Sequence, residues 1–143
     1  MSSKAIICVG NRMHEADALG GLVYDALTSL PNLPGDTEIF DGGLKGLDLL
    51  GFVENRRRVV FVDALDFADG PNAVRIMERE EVAGFAVNFG HSAGLPYLFS
   101  VMPKVCSGLL PEILLIGAAG PATPPLVRQV VNGCLELIEH GYV

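Results

Sequence analysis

The sequence lacks an apolar run of the roughly 18 residues that a membrane-spanning helix needs. Residues 1–4 have neither the layout of a signal peptide nor a small-residue cleavage site. Cysteine is scarce, since Cys8, Cys106 and Cys134 are odd in number, far apart and set in apolar stretches. That pattern favours buried thiols over disulfide bonds. Together these absences predict a soluble protein of the cytoplasm.

Basic residues are also few. Ten lysines and arginines stand against 17 aspartates and glutamates, which gives a formal charge of -7. An acidic protein repels phosphate backbones and anionic lipid surfaces, so we expect neither nucleic acid nor a membrane as a partner. The 143 residues are 50% hydrophobic and 19% charged, which is typical of a folded globular chain. This length predicts a single domain over residues 1–143.

Short apolar runs alternate along the chain with stretches of helical periodicity. Strands are predicted at 4–9, 37–40, 59–62, 73–77 and 113–116, and helices at 19–30, 47–53, 92–102 and after Thr123. The 73–77 strand follows the third strand too closely for a crossover helix, so it is predicted to run antiparallel. The alternation indicates an α/β fold, with a mainly parallel sheet and helices on both faces.

Candidate functional residues follow the predicted strands, because ligands of such folds bind beyond the carboxyl ends of the strands. These residues are Asn11, His14, Glu15 and Asp17 after the first strand, Asp41, Gly42 and Gly43 after the second, Asp63 after the third, and His91 before the third helix. Two or three carboxylates and an imidazole would converge on one rim. That set of ligands suits a divalent ion such as nickel or zinc.

Each of these residues also has an ordinary structural explanation. Asp17 is suited to cap a helix or to face its dipole, and Asp63 is suited to cap a turn. His91 fits a solvated loop between glycine and serine. The run Arg56–Arg58 is interpreted as the solvated beginning of a strand.

The order of these motifs resembles that of the hydrogenase maturation endopeptidases, which process the large subunit of nickel–iron hydrogenases. The matching pieces are Gly10-Asn11, Asp17 to Gly20, Asp41-Gly42-Gly43 with Gly46, Leu49 and Leu50, Val59 to Ala64, and His91 with Gly94-Leu95. Each piece alone is common, whereas their occurrence in this order is fairly specific. The resemblance covers residues 5–95, and the last strand and helix agree more loosely.

The resemblance implies a twisted five-stranded sheet between helices in three layers. It implies that Asp17, Asp63 and His91 contact a metal, with Glu15 as an alternative to Asp17. Nickel is expected to arrive in the substrate rather than as a resident cofactor. The expected reaction removes the C-terminal extension of the large-subunit precursor after nickel insertion, and the expected enzyme is a monomer. The neighbouring residues Asn11, Glu15, Asp41, Gly42 and Gly43 are predicted to contact the substrate.

Two other functions are compatible with parts of the pattern. The first is a non-catalytic chaperone of the same fold that senses metal in the precursor without cutting it. The second is a phosphoacceptor receiver domain, which also places an aspartate at the end of its third strand. A receiver domain needs an acidic pair after strand one and a lysine after the last strand. Here those positions hold Gly10-Asn11 and Gly117 to Ala119, which disfavours it.

Overall fold

The computed structural model describes residues 2–11, 13–43, 46–65, 73–84 and 94–142. The strands are β1 (Lys4–Val9), β2 (Thr37–Gly43), β3 (Arg58–Ala64), β4 (Val74–Glu78) and β5 (Glu112–Ala118). The α-helices are α1 (Leu19–Thr28), α2 (Arg79–Ala83), α3 (Leu95–Val105) and α4 (Pro124–His140), and 3-10 helices cover Glu15–Asp17 and Gly46–Phe52.

The five strands form one sheet in the order β2-β1-β3-β5-β4. Strands β1, β2, β3 and β5 run parallel to one another. Strand β4 pairs with β5 in the antiparallel direction. This arrangement confirms the predicted mostly parallel sheet and the antiparallel fourth strand. It also brings the carboxyl ends of β1, β2, β3 and β5 to one edge of the sheet.

Alternate residues of the central strands supply two separate apolar layers, because successive side chains of a strand point to opposite faces. Ile6 and Val60 pack with α1 and α4 on one face of the sheet. Ile7 and Phe61 pack with the 46–52 helix, α2 and α3 on the other face. The sheet therefore lies between two helical layers, as the three-layer prediction requires.

Several boundaries differ from the predicted ones. Strand β2 continues through Asp41–Gly43, because this segment keeps pairing with Cys8 and Val9 across a register shift. Strand β3 likewise includes Asp63, which pairs with Gly117 of β5. The predicted helix at 47–53 is a 3-10 helix, and the short helix α2 was not predicted. Parallel pairing thus extends the strands up to the residues predicted to carry the function.

The beginning of α4 and the cysteines follow the predictions, whereas α1 ends at Thr28 and α3 extends to Val105. The Thr123 side chain accepts a hydrogen bond from the Leu126 amide at 3.4 Å and caps α4. Cys8 and Cys134 are buried, Cys106 is half-buried, and none of the three is in a disulfide bond. Within the part of the chain that the structure describes, no helix is long and apolar enough to cross a membrane.

The prediction that Arg56–Arg58 is solvated is wrong for two of its three arginines. Arg56 is only 2% exposed. It donates hydrogen bonds to the carbonyls of Phe52 at 2.5 Å and Ser2 at 2.6 Å, and its guanidinium lies 5.3 Å from the Phe40 ring centroid.

Arg58 is half-buried and donates to Glu112 at 2.6 Å and to the Ile138 carbonyl at 3.0 Å. Only Arg57 is exposed. The buried Arg56 and the half-buried Arg58 satisfy carbonyls near the amino end of β3, and the local sequence does not reveal these contacts.

We therefore expect Arg56→Ala to lower the free energy of unfolding by about 1–3 kcal/mol, the cost of leaving a buried hydrogen-bonding group unpaired. Here the Phe52 and Ser2 carbonyls would lose their donor. Urea unfolding followed by circular dichroism measures the change. Arg57→Ala is the matched control and should stay within about 0.5 kcal/mol of the wild type, as exposed positions do. Equal stability of the two variants would contradict a structural role for Arg56.

Candidate active site

The candidate site lies at the point where the sheet changes its direction of winding. From β1 the chain passes to β2 on one side, and then returns to β3 on the other side of β1. Open α/β sheets bind ligands in the crevice that this reversal leaves beyond the carboxyl ends of the strands. The β1 strand leads to Gly10 and Asp17, and β3 ends with Asp63 and Ala64.

Asp17 is held by the loop that follows β1. Its Oδ2 accepts a hydrogen bond from the Asn11 amide at 2.8 Å. Its own amide donates to the His14 carbonyl at 2.9 Å, and the His14 amide donates to the Asn11 carbonyl at 3.1 Å. These bonds hold Asn11, His14 and Asp17 in a compact loop and fix the Asp17 carboxyl at one end of it.

Two glycines allow this loop and α1 to approach β1. A Cβ on Gly20 would lie 2.0 Å from the Val9 carbonyl oxygen, so α1 packs against the end of β1 more closely than any side chain allows. Gly10 has a φ of 132° and faces the Asp17 backbone, 2.5 Å from where its Cβ would be. The Gly10 and Gly20 positions of the resembling motifs therefore have a direct steric reason.

Asp63 is the electrostatically unusual residue of the site. Burial, and next the negative charge of Asp17, raise the pKa of the Asp63 carboxyl to about 8, against an opposing hydrogen bond from the Ala64 backbone. At neutral pH the pair therefore holds one proton on Asp63 most of the time. Two neighbouring carboxyl groups that share a proton form an acid–base pair, and they also bind cations that can displace the proton.

Asp17 and Asp63 line the same open cavity of about 180 Å³. The other residues that line it are Val9, Gly10, Gly43, Leu49, Gly94, Leu95 and Leu98. Pockets for whole small molecules are about 300–1,000 Å³, so this cavity is better matched to an ion and part of a peptide. Leu49, Leu95 and Leu98 form an apolar wall of the cavity, opposite in character to its two acids. This combination suits a substrate that presents both a cation and hydrophobic side chains.

The structure brings together only some of the predicted site residues. Asp17, Asp63 and Gly43 line the cavity, whereas Glu15 is exposed and does not. Asp41 is also exposed, and its carboxylate accepts from the Gly43 amide at 3.2 Å. Of these two acids, only Asp17 therefore faces the cavity.

His91 lies outside the described residues, so its predicted place beside the two aspartates stays a prediction. Among the residues that the structure does describe, no group of three histidines, cysteines or acids could hold a metal ion. Asn11 does not line the cavity and instead shapes the loop through its amide and its carbonyl. Gly42 is buried, and a Cβ there would press on Val9 and Leu49. The predicted contacts of Asn11 and Gly42 with the substrate stay predictions.

The apolar wall was not foreseen from the sequence. Leu95 and Leu98 lie in the first turn of α3, where Gly94 precedes the helix with a φ of 64°. In the sequence these leucines look like ordinary core residues, and they do pack in the core as well. The position of α3 beside the aspartates depends on tertiary packing, which the local sequence does not reveal.

A mostly parallel α/β sheet with two partly buried acids at its switch point defines a class of ligand-binding folds. Comparisons with known proteins identify the family within that class. A family model described as hydrogenase maturation protease matches residues 23–128. The hydrogenase 2 maturation protease of Escherichia coli K12 is 32% identical over 93% of this chain and 86% of its own length. The hydrogenase 3 maturation protease of the same strain is 28% identical over 94% of this chain and 87% of its own length.

Solved structures agree. The hydrogenase maturating endopeptidase HybD from Escherichia coli superposes with a TM-score of 0.72 at 28% identity, covering 94% of this chain and 88% of that one. The nickel–iron hydrogenase maturation protease HycI from Thermococcus kodakarensis gives a TM-score of 0.67 at 25% identity, with 96% and 90% covered. The chain belongs to the hydrogenase maturation protease family and is a peptidase. This confirms the resemblance seen in the motifs.

The raised pKa of Asp63 predicts a specific pH dependence of stability. The unfolded chain releases this proton near pH 3.8, whereas the folded protein retains it up to about pH 8. Between these values the unfolded state binds fewer protons than the folded state. The favourable contribution of Asp63 to the free energy of unfolding is therefore complete below pH 3.8 and is lost as the pH rises to 8. Asp63→Asn should remove this loss, so its free energy of unfolding should rise relative to that of the wild type by up to about 1.4 kcal/mol for each pH unit in this window. Urea unfolding at pH 5, 6, 7 and 8 measures the difference.

Asp48→Asn is the control for that experiment, because it removes an exposed carboxyl of the neighbouring 3-10 helix. Its stability should follow the wild-type profile. A constant difference between Asp63→Asn and the wild type across the four pH values would show that Asp63 is ionised in the folded protein.

Proposed function

We propose that this protein is an endopeptidase that removes the C-terminal extension of a nickel–iron hydrogenase large-subunit precursor once nickel has been inserted. The metal is part of the substrate, and Asp17, Asp63 and His91 contact it. The observation that carries the proposal is the shared cavity of Asp17 and Asp63 at the switch point of a maturation-protease fold. The names of the relatives supply the class of substrate.

The acidic pair suits a metal that is already partly held by the precursor. One carboxylate and one protonated carboxyl form a weak site when empty, since the proton on Asp63 must leave before both can coordinate a cation. A cation that the docked precursor holds beside both carboxyls offsets this cost, because a nearby positive charge favours their ionised forms. The pair can thus distinguish a metal-loaded precursor from an empty one.

The described lining of the cavity offers no conventional nucleophile. None of those residues is a serine, threonine, cysteine or lysine, which are the usual attacking groups of covalent catalysis. We propose a water molecule as the nucleophile. Nickel at this place would polarise the scissile carbonyl or lower the pKa of that water, and the carboxyl pair can accept and return a proton.

The apolar wall gives the precursor a second point of contact. Leu49, Leu95 and Leu98 face the same space as the carboxyls, so an extended chain can place apolar side chains there while its metal centre meets the acids. A site of this kind positions the peptide before any bond is cut, which is a large part of catalysis. We further propose that the enzyme acts as a monomer in the cytoplasm.

Each of Asp17→Ala, Asp63→Ala and His91→Ala should slow processing of the nickel-loaded precursor. We expect a loss of about 100-fold or more, since even the outer-shell partners of metal ligands are worth about 10–100-fold. Cleavage is followed by mass measurement of the large subunit. His140→Ala, which removes an exposed imidazole at the end of α4, is the control and should cut at the wild-type rate.

The wild type should cut nickel-loaded precursor and leave nickel-free precursor intact. Equal cutting of both forms would refute recognition of nickel. Binding of the loaded precursor without cutting would favour the metal-sensing chaperone instead. Loss of activity in Glu15→Ala with activity kept in Asp17→Ala would assign the first ligand to Glu15.

A further inference from the structure

Met13 is the most exposed large hydrophobic residue of those that the structure describes. Its side chain is 90% exposed, against 72% for Leu109 and 53% for Val105. Single exposed apolar residues are common on protein surfaces. Exposure alone therefore does not indicate a binding role for Met13. Its position and the rigidity of its backbone are the relevant evidence.

Met13 projects from the compact loop that carries Asp17. Its amide donates to the Asn11 side-chain carbonyl at 2.9 Å. The bonds between Asn11, His14 and Asp17 close the same loop around it. Both ends of the loop, at Gly10 and Asp17, line the cavity. Met13 thus stands on the rim of the candidate active site, with its backbone fixed and its side chain in water.

This geometry suits contact with a second protein. The hydrogen bonds fix the backbone before binding, so docking needs little further ordering of the loop. Methionine is unbranched and polarizable, and it adapts to irregular apolar surfaces. The neighbouring side chains of His14 and Glu15 are also exposed, which gives the apolar tip the polar surroundings common at protein interfaces.

We propose that Met13 is a substrate-docking residue, which contacts an apolar surface of the large-subunit precursor beside the bond to be cut. This inference rests on the proposed function. Met13 binds substrate but does not touch the reacting atoms, because it lies on the outside of the loop whose end carries Asp17. It therefore contributes to KM and leaves kcat unchanged.

Met13→Gln tests the proposal, since glutamine keeps the length of the side chain and removes its apolar character. We expect KM for the nickel-loaded precursor to rise about ten-fold, the effect of losing part of the burial of one apolar side chain. The value of kcat should stay within about two-fold, because no group at the reacting bond is removed. Met13→Leu should restore KM to near the wild-type value. Initial rates over a range of precursor concentrations give both constants.

Leu109→Gln is the matched control. Leu109 is similarly exposed, but it is tied to Asn55 through its amide and its carbonyl, just ahead of β5 and at the opposite edge of the sheet from the cavity. Its KM should equal that of the wild type. Thermal unfolding should show that Met13→Gln and Leu109→Gln are as stable as the wild type, so that a change in KM reports docking.

The outcomes separate the two proposals. A wild type that cuts no precursor overturns the proposed function and the docking role together. A wild type that cuts, with the same KM in Met13→Gln, overturns the docking role alone. An equal rise of KM in Met13→Gln and Leu109→Gln would also overturn it, since loss of surface hydrophobicity would then act without regard to position.

Discussion

Burial of the Asp63 carboxyl beside that of Asp17 is the constraint on which the rest of the structure depends. Two acids in one poorly solvated place repel each other, and the folded protein accepts this by keeping a proton on Asp63. The apolar layers on both faces of β3 supply the stability that tolerates the arrangement. The glycines at positions 10 and 20 allow the loop and α1 to approach β1 closely. Asp17 then lies near enough for its charge to raise the pKa of Asp63.

The same constraint bears on how the site would select its substrate under the proposed function. A cavity already provided with two ionised carboxylates would attract any divalent cation. Because one carboxyl is held neutral, a cation would have to displace a proton, and a metal presented by a docked precursor would do so with the help of the contacts around it. Selectivity would then come from the combination of charge and shape rather than from affinity for the ion.

Much of the fold could be predicted from the sequence, because the signals were local. The apolar run of β1 fixed its limits at Lys4–Val9, and the Thr123 cap with two prolines marked the beginning of α4. The 3-10 form of 46–52 could not be predicted, since its leucine spacing is equally compatible with an α-helix. The burial of Arg56 depends on Ser2, 54 residues away in sequence. No local pattern encodes such a contact.

The candidate site divides in the same way. Asp17 and Asp63 could be placed together because the carboxyl ends of neighbouring parallel strands meet at one edge. The choice between Glu15 and Asp17 could not be made, because it depends on the hydrogen bonds that turn the 11–17 loop and leave Glu15 in water. The part played by Leu98 was hidden as well, since a helix residue that lines a cavity has the same apolar character as one that packs in the core.

Arg56 and Arg58 have a consequence for how the molecule is held together. Arg56 binds the Ser2 carbonyl and Arg58 binds the Ile138 carbonyl, so segments far apart in sequence converge at the amino end of β3. The cavity lies at the opposite, carboxyl end of the strands. Stability and function are thus concentrated at opposite ends of the same strands, and the end that carries the arginines can change without altering the lining of the cavity.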